Sequence, residues 1–222
     1  MKEGTLICNF SGVYGTQGFM PQEAVEVDLS GIQGTCCYCS AEGEIEAMLP
    51  GELPKLRWID SGDYHYMSYI LAKREKEPFH LLLLDNHPDN QEPAFPGILS
   101  CGSWVKVMRE ENKLLQDILW IGPEGSADYK QWLESRRGER LYISLDKDVM
   151  SKDWARTDWT QGDYSLEQIE TILRTALEKM DVVAIDICGE MAPSKGATGQ
   201  DNRINYETNT KLYKLITGYV GN

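Results

Sequence analysis

Two uninterrupted apolar runs constrain this chain more than any other feature: His80-Leu81-Leu82-Leu83-Leu84-Asp85 and Asp181-Val182-Val183-Ala184-Ile185-Asp186. Neither alternates in the period-two manner of a half-solvated strand. Both are shorter than an ordinary buried helix, and both stop at a carboxylate. Such runs suit strands covered on two faces, which is the habit of parallel sheets. Further strands are predicted near 5–10, 25–29, 36–39, 56–60, 117–121 and 140–146, with 80–85 and 181–187 as the two runs. Helices are predicted between them, near 41–49, 64–76, 102–112, 126–137 and 206–218. Another begins at Ser165, where Ser165-Leu166-Glu167-Gln168 reads as a capping box. Its Leu166, Ile169, Ile172, Leu173, Ala176, Leu177 and Met180 recur at helical spacing. Loops rich in Gly, Pro, Ser and Asn, notably 86–100 and 191–203, separate the elements. The pattern is that of an α/β fold, a parallel sheet with flanking helices. No repeat or linker divides the chain, so a single domain over residues 1–222 is expected.

Charge and composition narrow the function classes. The formal net charge is −13, which argues against nucleic-acid phosphates as partner. No apolar run approaches the ~20 residues of a membrane helix, and Met1–Thr5 lacks signal-peptide organisation. A cytoplasmic protein without a membrane partner is expected. Six cysteines, Cys8, Cys36, Cys37, Cys39, Cys101 and Cys188, accompany no secretory signal, so they read as reduced thiols. Cys36 and Cys39 form a C-x-x-C pair, but no second pair is at hand to complete a structural zinc site.

In an open parallel sheet, ligands bind beyond the carboxyl ends of the strands. Three polar segments stand there. Asp85-Asn86-His87-Pro88-Asp89 follows one apolar run. Residues two apart share a side in extended backbone, so Asp85, His87 and Asp89 can converge as half of a divalent-metal site. The same residues also suit a plain polar turn. Ser144-Leu145-Asp146-Lys147-Asp148 repeats the paired carboxylates, with the same alternative. Asp60-Ser61-Gly62-Asp63-Tyr64-His65-Tyr66 brings His65 into a helix start, as a ligand or as a packed ring. The three ends can meet in space, and two of the chain's three histidines lie in them. The third, His80, begins a strand on the opposite edge of the sheet and reads as structural.

Together the segments resemble the ureohydrolase family of arginases and agmatinases. That family carries Gly-Gly-Asp-His, Asp-Ala-His-x-Asp and Ser-x-Asp-x-Asp in this order. Here Gly62-Asp63-Tyr64-His65, Asp85-Asn86-His87-Pro88-Asp89 and Ser144-Leu145-Asp146-Lys147-Asp148 follow in the same order, within roughly residues 58–190. The first differs by an inserted tyrosine. The nearer likeness is to short arginase-like proteins, through Asp63-Tyr64-His65-Tyr66 and Leu99-Ser100-Cys101-Gly102-Ser103-Trp104.

The resemblance implies a three-layer α/β/α fold around a mostly parallel, doubly wound sheet. It implies two divalent ions, Mn2+ first, with Zn2+, Fe2+ or Co2+ as alternatives. His65 and Asp89 would serve one ion and His87 and Asp148 the other, with Asp85 and Asp146 bridging. It also implies a metal-activated hydroxide attacking a C–N carbon of a small guanidino or amide compound. Asp89 would relay the proton to the leaving amine. Cys101 stands where the family has a proton-shuttling histidine. Glu190 corresponds, one residue displaced, to the glutamate that meets the guanidinium. Residues that would recognise the amino-acid end of arginine have no counterpart, so arginase activity proper is not expected. Two other readings remain at this point: a single-zinc, deacetylase-like amidohydrolase, and a non-catalytic metal-binding scaffold. A homo-oligomer is compatible with all three.

Overall fold

The computed structural model describes residues 4–21, 23–123 and 128–220. Its centre is a seven-stranded sheet. The strands are β1 (Thr5–Asn9), β2 (Ala24–Asp28), β4 (Leu56–Ser61), β5 (Phe79–Leu84), β7 (Leu115–Ile121), β8 (Arg140–Asp146) and β9 (Asp181–Glu190). Their order is β2-β1-β4-β9-β8-β5-β7, and every neighbouring pair is parallel. Strands β3 (Tyr38–Cys39) and β6 (Leu99–Ser100) form a separate antiparallel ribbon. The helices are α1 (Val13–Gln17), α2 (Glu42–Met48), α3 (Met67–Ala72), α4 (Trp104–Glu111), α5 (Tyr129–Ser135), α6 (Leu166–Lys179) and α7 (Gly199–Val220).

The apolar runs are continuous because both sheet faces are roofed. Along β5, Leu82 and Leu84 enter one core cluster while Phe79, Leu81 and Leu83 enter the other. The first cluster also takes Val13 and Tyr14 of α1, Leu133 of α5, Ile169 and Leu173 of α6, and Leu212 and Ile216 of α7. The second takes Ile45 of α2, Met67 and Ile70 of α3, and Trp104 and Met108 of α4. The result is the expected α/β/α layering around a doubly wound parallel sheet. No helix among the described residues is long and apolar enough to cross a membrane.

Several local expectations change. The strand expected at 36–39 shrinks to Tyr38–Cys39 and leaves the main sheet. Cys37 is left-handed, at φ 59°, which breaks the extended run just before it. The helix expected over 64–76 is shorter, Met67–Ala72, and a 3-10 turn over Gly62–Tyr64 precedes it. The last helix begins at Gly199, well before the expected 206. Thr198 and Asp201 cap each other's backbone amides, Asp201 N–H to Thr198 Oγ1 at 3.2 Å and Thr198 N–H to Asp201 Oδ2 at 2.9 Å. The opening turns of that helix are polar, so hydropathy alone gave no sign of them. Positions 126–127 of another expected helix lie outside the described residues. His80 is not on an edge strand: β5 has β8 on one side and β7 on the other. Its Nε2 pairs with Glu139 at 2.5 Å, remote from the other two histidines' cluster.

The capping box at α6 is present in both halves, Gln168 N–H to Ser165 Oγ at 3.2 Å and Ser165 N–H to Gln168 Oε1 at 2.8 Å. Ser165→Ala is expected to lower stability by about 1 kcal/mol, read from the urea midpoint at unchanged slope.

Candidate metal centre

Strands β4, β9, β8 and β5 are adjacent, and their carboxyl ends carry the polar segments. Asp85 directly follows β5, and its Oδ1 accepts the His87 amide at 2.7 Å. Asp146 closes β8, and its Oδ1 accepts the Asp148 amide at 2.9 Å. The same carboxylate-capped turn therefore ends both strands. This, rather than alternation along extended backbone, aligns the i and i+2 side chains. Asp89 lies farther along its turn, left-handed at φ 44°, a conformation that a short polar side chain tolerates. The indole of Trp104 donates to its Oδ2 at 2.6 Å.

His65 follows the 3-10 turn after β4, and its Nδ1 faces three carboxylates. Asp89 Oδ2 is at 3.0 Å, Asp85 Oδ2 at 3.1 Å and Asp146 Oδ2 at 3.6 Å. His87 Nδ1 faces Asp148 Oδ2 at 2.8 Å and Asp85 Oδ1 at 3.6 Å. Asp85 thus turns one oxygen to each imidazole. Ligand atoms of His65, Asp85 and Asp89 lie within 4.8 Å of one another, as do those of Asp85, His87 and Asp148. His65 Nε2 meets Ser144 Oγ at 2.8 Å, and Ser68 Oγ lies 3.0 Å beyond it. That contact engages the outer nitrogen and leaves Nδ1 for the carboxylates, the usual orientation device for a ligating histidine.

The donor set fits a hard divalent cation. Asp85 Oδ2 is buried and accepts no hydrogen bond, whereas buried polar atoms are normally satisfied. Four carboxylates and two imidazoles suit Mn2+ and its neighbours. Burial, then Asp148, pushes the Asp146 carboxyl up to about 6. Burial, then Asp85, pushes Asp148 up to about 7. His87 rises to about 10, first through its hydrogen bond to Asp148 and then through Asp85. Burial alone would keep His65 neutral, but the thiol and carboxylates around it, Cys188, Asp85 and Asp89 among them, outweigh burial and raise it. All of these shifts favour the protonated forms, supplying the positive charge that a cation would otherwise bring.

The remaining predicted residues separate. Cys101 is buried and lines a cavity of about 280 Å³ with His65, Asp85, His87, Asp89, Asp146 and Asp148. Tyr38, Gln91, Ser100 and Trp159 also line it. Burial, then Asp89, pushes the Cys101 thiol up to about 12. Glu190 is not brought to this cavity. It is fully buried, paired with Lys147, and bonded to Asn209 Nδ2 at 2.8 Å and Gln17 Nε2 at 2.7 Å.

Sequence reasoning passed over several supports. Trp104 holds Asp89, and Cys188 donates to Asp146 Oδ2 at 3.1 Å. Lys147, fully buried between Asp146 and Asp148, anchors their loop through Glu190 and through Asn209 at 2.9 Å. A lysine between two aspartates reads as a surface residue, so only the fold reveals it. Gly189, at φ 88°, lies where a Cβ would come within 2.2 Å of Asp146 Oδ1.

No protein-family model matches the chain. An uncharacterised protein from Thermotoga maritima is 30% identical over 199 residues, covering 84% of this chain and 80% of that protein. Among solved structures, proclavaminate amidino hydrolase from Streptomyces clavuligerus matches with a TM-score of 0.68 at 15% identity, over 96% of this chain and 91% of the other. An arginase-like protein from T. brucei, a triple mutant bound with Mn2+, matches with a TM-score of 0.59 at 12% identity, over 98% and 91%. The chain has the arginase-like fold.

Because Asp146, Asp148 and His87 would have to lose their protons to hold an ion, Mn2+ affinity is expected to rise with pH through about 6 and 7, the values to which Asp146 and Asp148 are pushed, and on toward about 10, that of His87. Calorimetry in buffers of different ionisation enthalpy should register proton release; a pH-independent affinity would contradict this. Gly189→Ala adds left-handed strain of about 1–2 kcal/mol and crowds Asp146. It is expected to lower both stability and Mn2+ affinity, read from thermal unfolding with and without the ion.

Proposed function

We propose that this chain, which belongs to one family with the Thermotoga maritima protein and has the arginase-like fold of the ureohydrolases, is a metal-dependent hydrolase cleaving a C–N bond in small guanidino or amide compounds. One observation carries the reading: Asp85 offers one oxygen to the His65 group and the other to the His87 group. A shared carboxylate between two imidazole-carboxylate clusters is what a two-ion site requires. His65, Asp85, Asp89 and Asp146 would hold one ion; His87, Asp85, Asp146 and Asp148 the other. When bound, such a pair supplies water activation near neutral pH and offsets negative charge developing on the substrate.

The chain's own groups have narrower tasks. Ser144 engages His65 Nε2 and so holds the ring with Nδ1 toward the carboxylates. Asp89 moves the proton toward the leaving amine. The Trp104 indole, donating to its Oδ2, holds the carboxylate in place for that task. The Cys101 thiol, raised by burial, stays protonated at neutral pH and forms a neutral wall rather than a base. Glu190 is already neutralised by Lys147, so recognition falls to Tyr38, Gln91, Ser100 and Trp159 around the cavity. A volume near 280 Å³ restricts the substrate to a small molecule.

The test is a urea- and ammonia-release screen of the Mn2+-loaded protein against guanidino and amide compounds. Turnover of at least one compound, abolished by chelation, is expected. A fully loaded protein inert to the whole panel would instead favour the non-catalytic scaffold. Asp148→Ala is expected to abolish turnover; full activity with one retained ion would favour the single-zinc reading. Ser144→Ala is expected to weaken metal affinity by about 10–100-fold, measured by competition with a chromogenic chelator.

A further inference from the structure

A second cluster of donor atoms stands at the rim of the same cavity, outside the histidine-aspartate set. Cys36 Sγ lies 3.3 Å from Asp63 Oδ2, and Cys37 Sγ lies 3.3 Å from Asp63 Oδ1. The two sulfurs are 4.0 Å apart. Adjacent residues in extended backbone point to opposite sides, so this convergence needs a cause. Cys37 is left-handed, at φ 59°, and the Tyr38 amide donates to the Cys36 carbonyl at 2.7 Å. That hydrogen bond closes a three-residue turn with its central residue at positive φ, a rare and strained arrangement. It turns both thiols to one side. The turn is pinned from two directions: the Cys37 amide donates to the Asp63 carbonyl at 3.1 Å, and the Cys101 amide to the Cys37 carbonyl at 2.9 Å.

We propose that Cys36, Cys37 and Asp63 form a third cation site, selective for a soft divalent ion such as Zn2+, at the rim of the cavity. The sulfur spacing agrees: zinc–sulfur bonds of about 2.3 Å at tetrahedral angles set two sulfurs about 3.8 Å apart. Each sulfur meets a different Asp63 oxygen, and one ligand atom from each of the three residues lies within 4.8 Å of the others, so a small turn of the carboxylate would bring one oxygen to the ion. The charges agree as well. Two thiolates and a carboxylate exceed one divalent ion by a single negative charge, and Lys195 Nζ stands 3.5 Å from Asp63 Oδ2 to balance it. Three protein ligands leave a fourth position for water or a small molecule, as in open zinc sites. Thiolates also select against Mn2+, which prefers the oxygen-rich set below. The rim ion would communicate with the pocket through Trp159, whose indole donates to Asp63 Oδ1 at 3.0 Å and whose ring meets the His87 ring edge-on at 5.8 Å.

The site is tested independently of any turnover. Metal-free protein is titrated with Co2+, which develops near-ultraviolet charge-transfer absorption only with thiolate ligands. Cys188 also lies beside His65 and Asp146, so it is the control. The absorption is expected in the unaltered chain and in Cys188→Ala, and is expected to vanish in the Cys36→Ser, Cys37→Ser double variant. In the unaltered chain, saturating Zn2+ should slow iodoacetamide alkylation of Cys36 and Cys37 by about tenfold or more, while Mn2+ should not. Peptide mass mapping reads this second measurement even if the double variant does not fold. Absorption that persists in the double variant or disappears in Cys188→Ala, or alkylation unchanged by Zn2+, would overturn the proposal.

Discussion

Four carboxylates crowd the ends of two neighbouring strands, and water barely reaches them: Asp85 and Asp148 are 1% exposed, Asp146 3% and Asp89 8%. Burying one unpaired charge costs several kcal/mol, and here four like charges are gathered around two imidazoles. Much of the surrounding structure manages that burden. Backbone amides of His87 and Asp148 cap two of the carboxylates, the Trp104 indole caps a third, and the Cys188 thiol touches Asp146. One oxygen, Oδ2 of Asp85, is still left without a hydrogen bond. A cluster this costly is understandable as a cation site and has no evident structural use.

The scaffold brings the cluster together through close approach. Gly189 at the end of β9 and Gly62 at the end of β4 flank Asp146, and a Cβ at Gly62 would sit 3.1 Å from Asp146 Oδ2. Behind the aspartates, Lys147 is drawn into the interior by Glu190 and Asn209, and Gln17 bonds to both of these, tying the β8 loop to α1 and α7. Glu190, which its sequence position offers as a substrate contact, thus makes its contacts with Lys147, Asn209 and Gln17 behind that loop.

Much of this was legible in the sequence because hydropathy reports burial on both sheet faces. The runs ending at Asp85 and Asp186 announced central parallel strands, and the acidic residues after β5 and β8 announced where ligands would gather. What was illegible depended on conformations that leave little trace in hydropathy. A left-handed Cys37 cut short a predicted strand, and a polar cap at Thr198 hid the start of α7. The buried Lys147 and the paired Glu190 look like surface charges until the fold places them. The inserted Tyr64, an apparent disturbance of the first motif, is taken up by the 3-10 turn, with its ring stacked on Phe10 at 4.0 Å.

The central claim is that Asp85 joins two ion sites into one centre. Electron paramagnetic resonance of the Mn2+-loaded protein tests it most directly. The account predicts an exchange-coupled spectrum from paired ions at full loading, reverting to that of isolated ions when Asp85 is replaced by asparagine. A spectrum of isolated ions at every loading of the unaltered chain would contradict it.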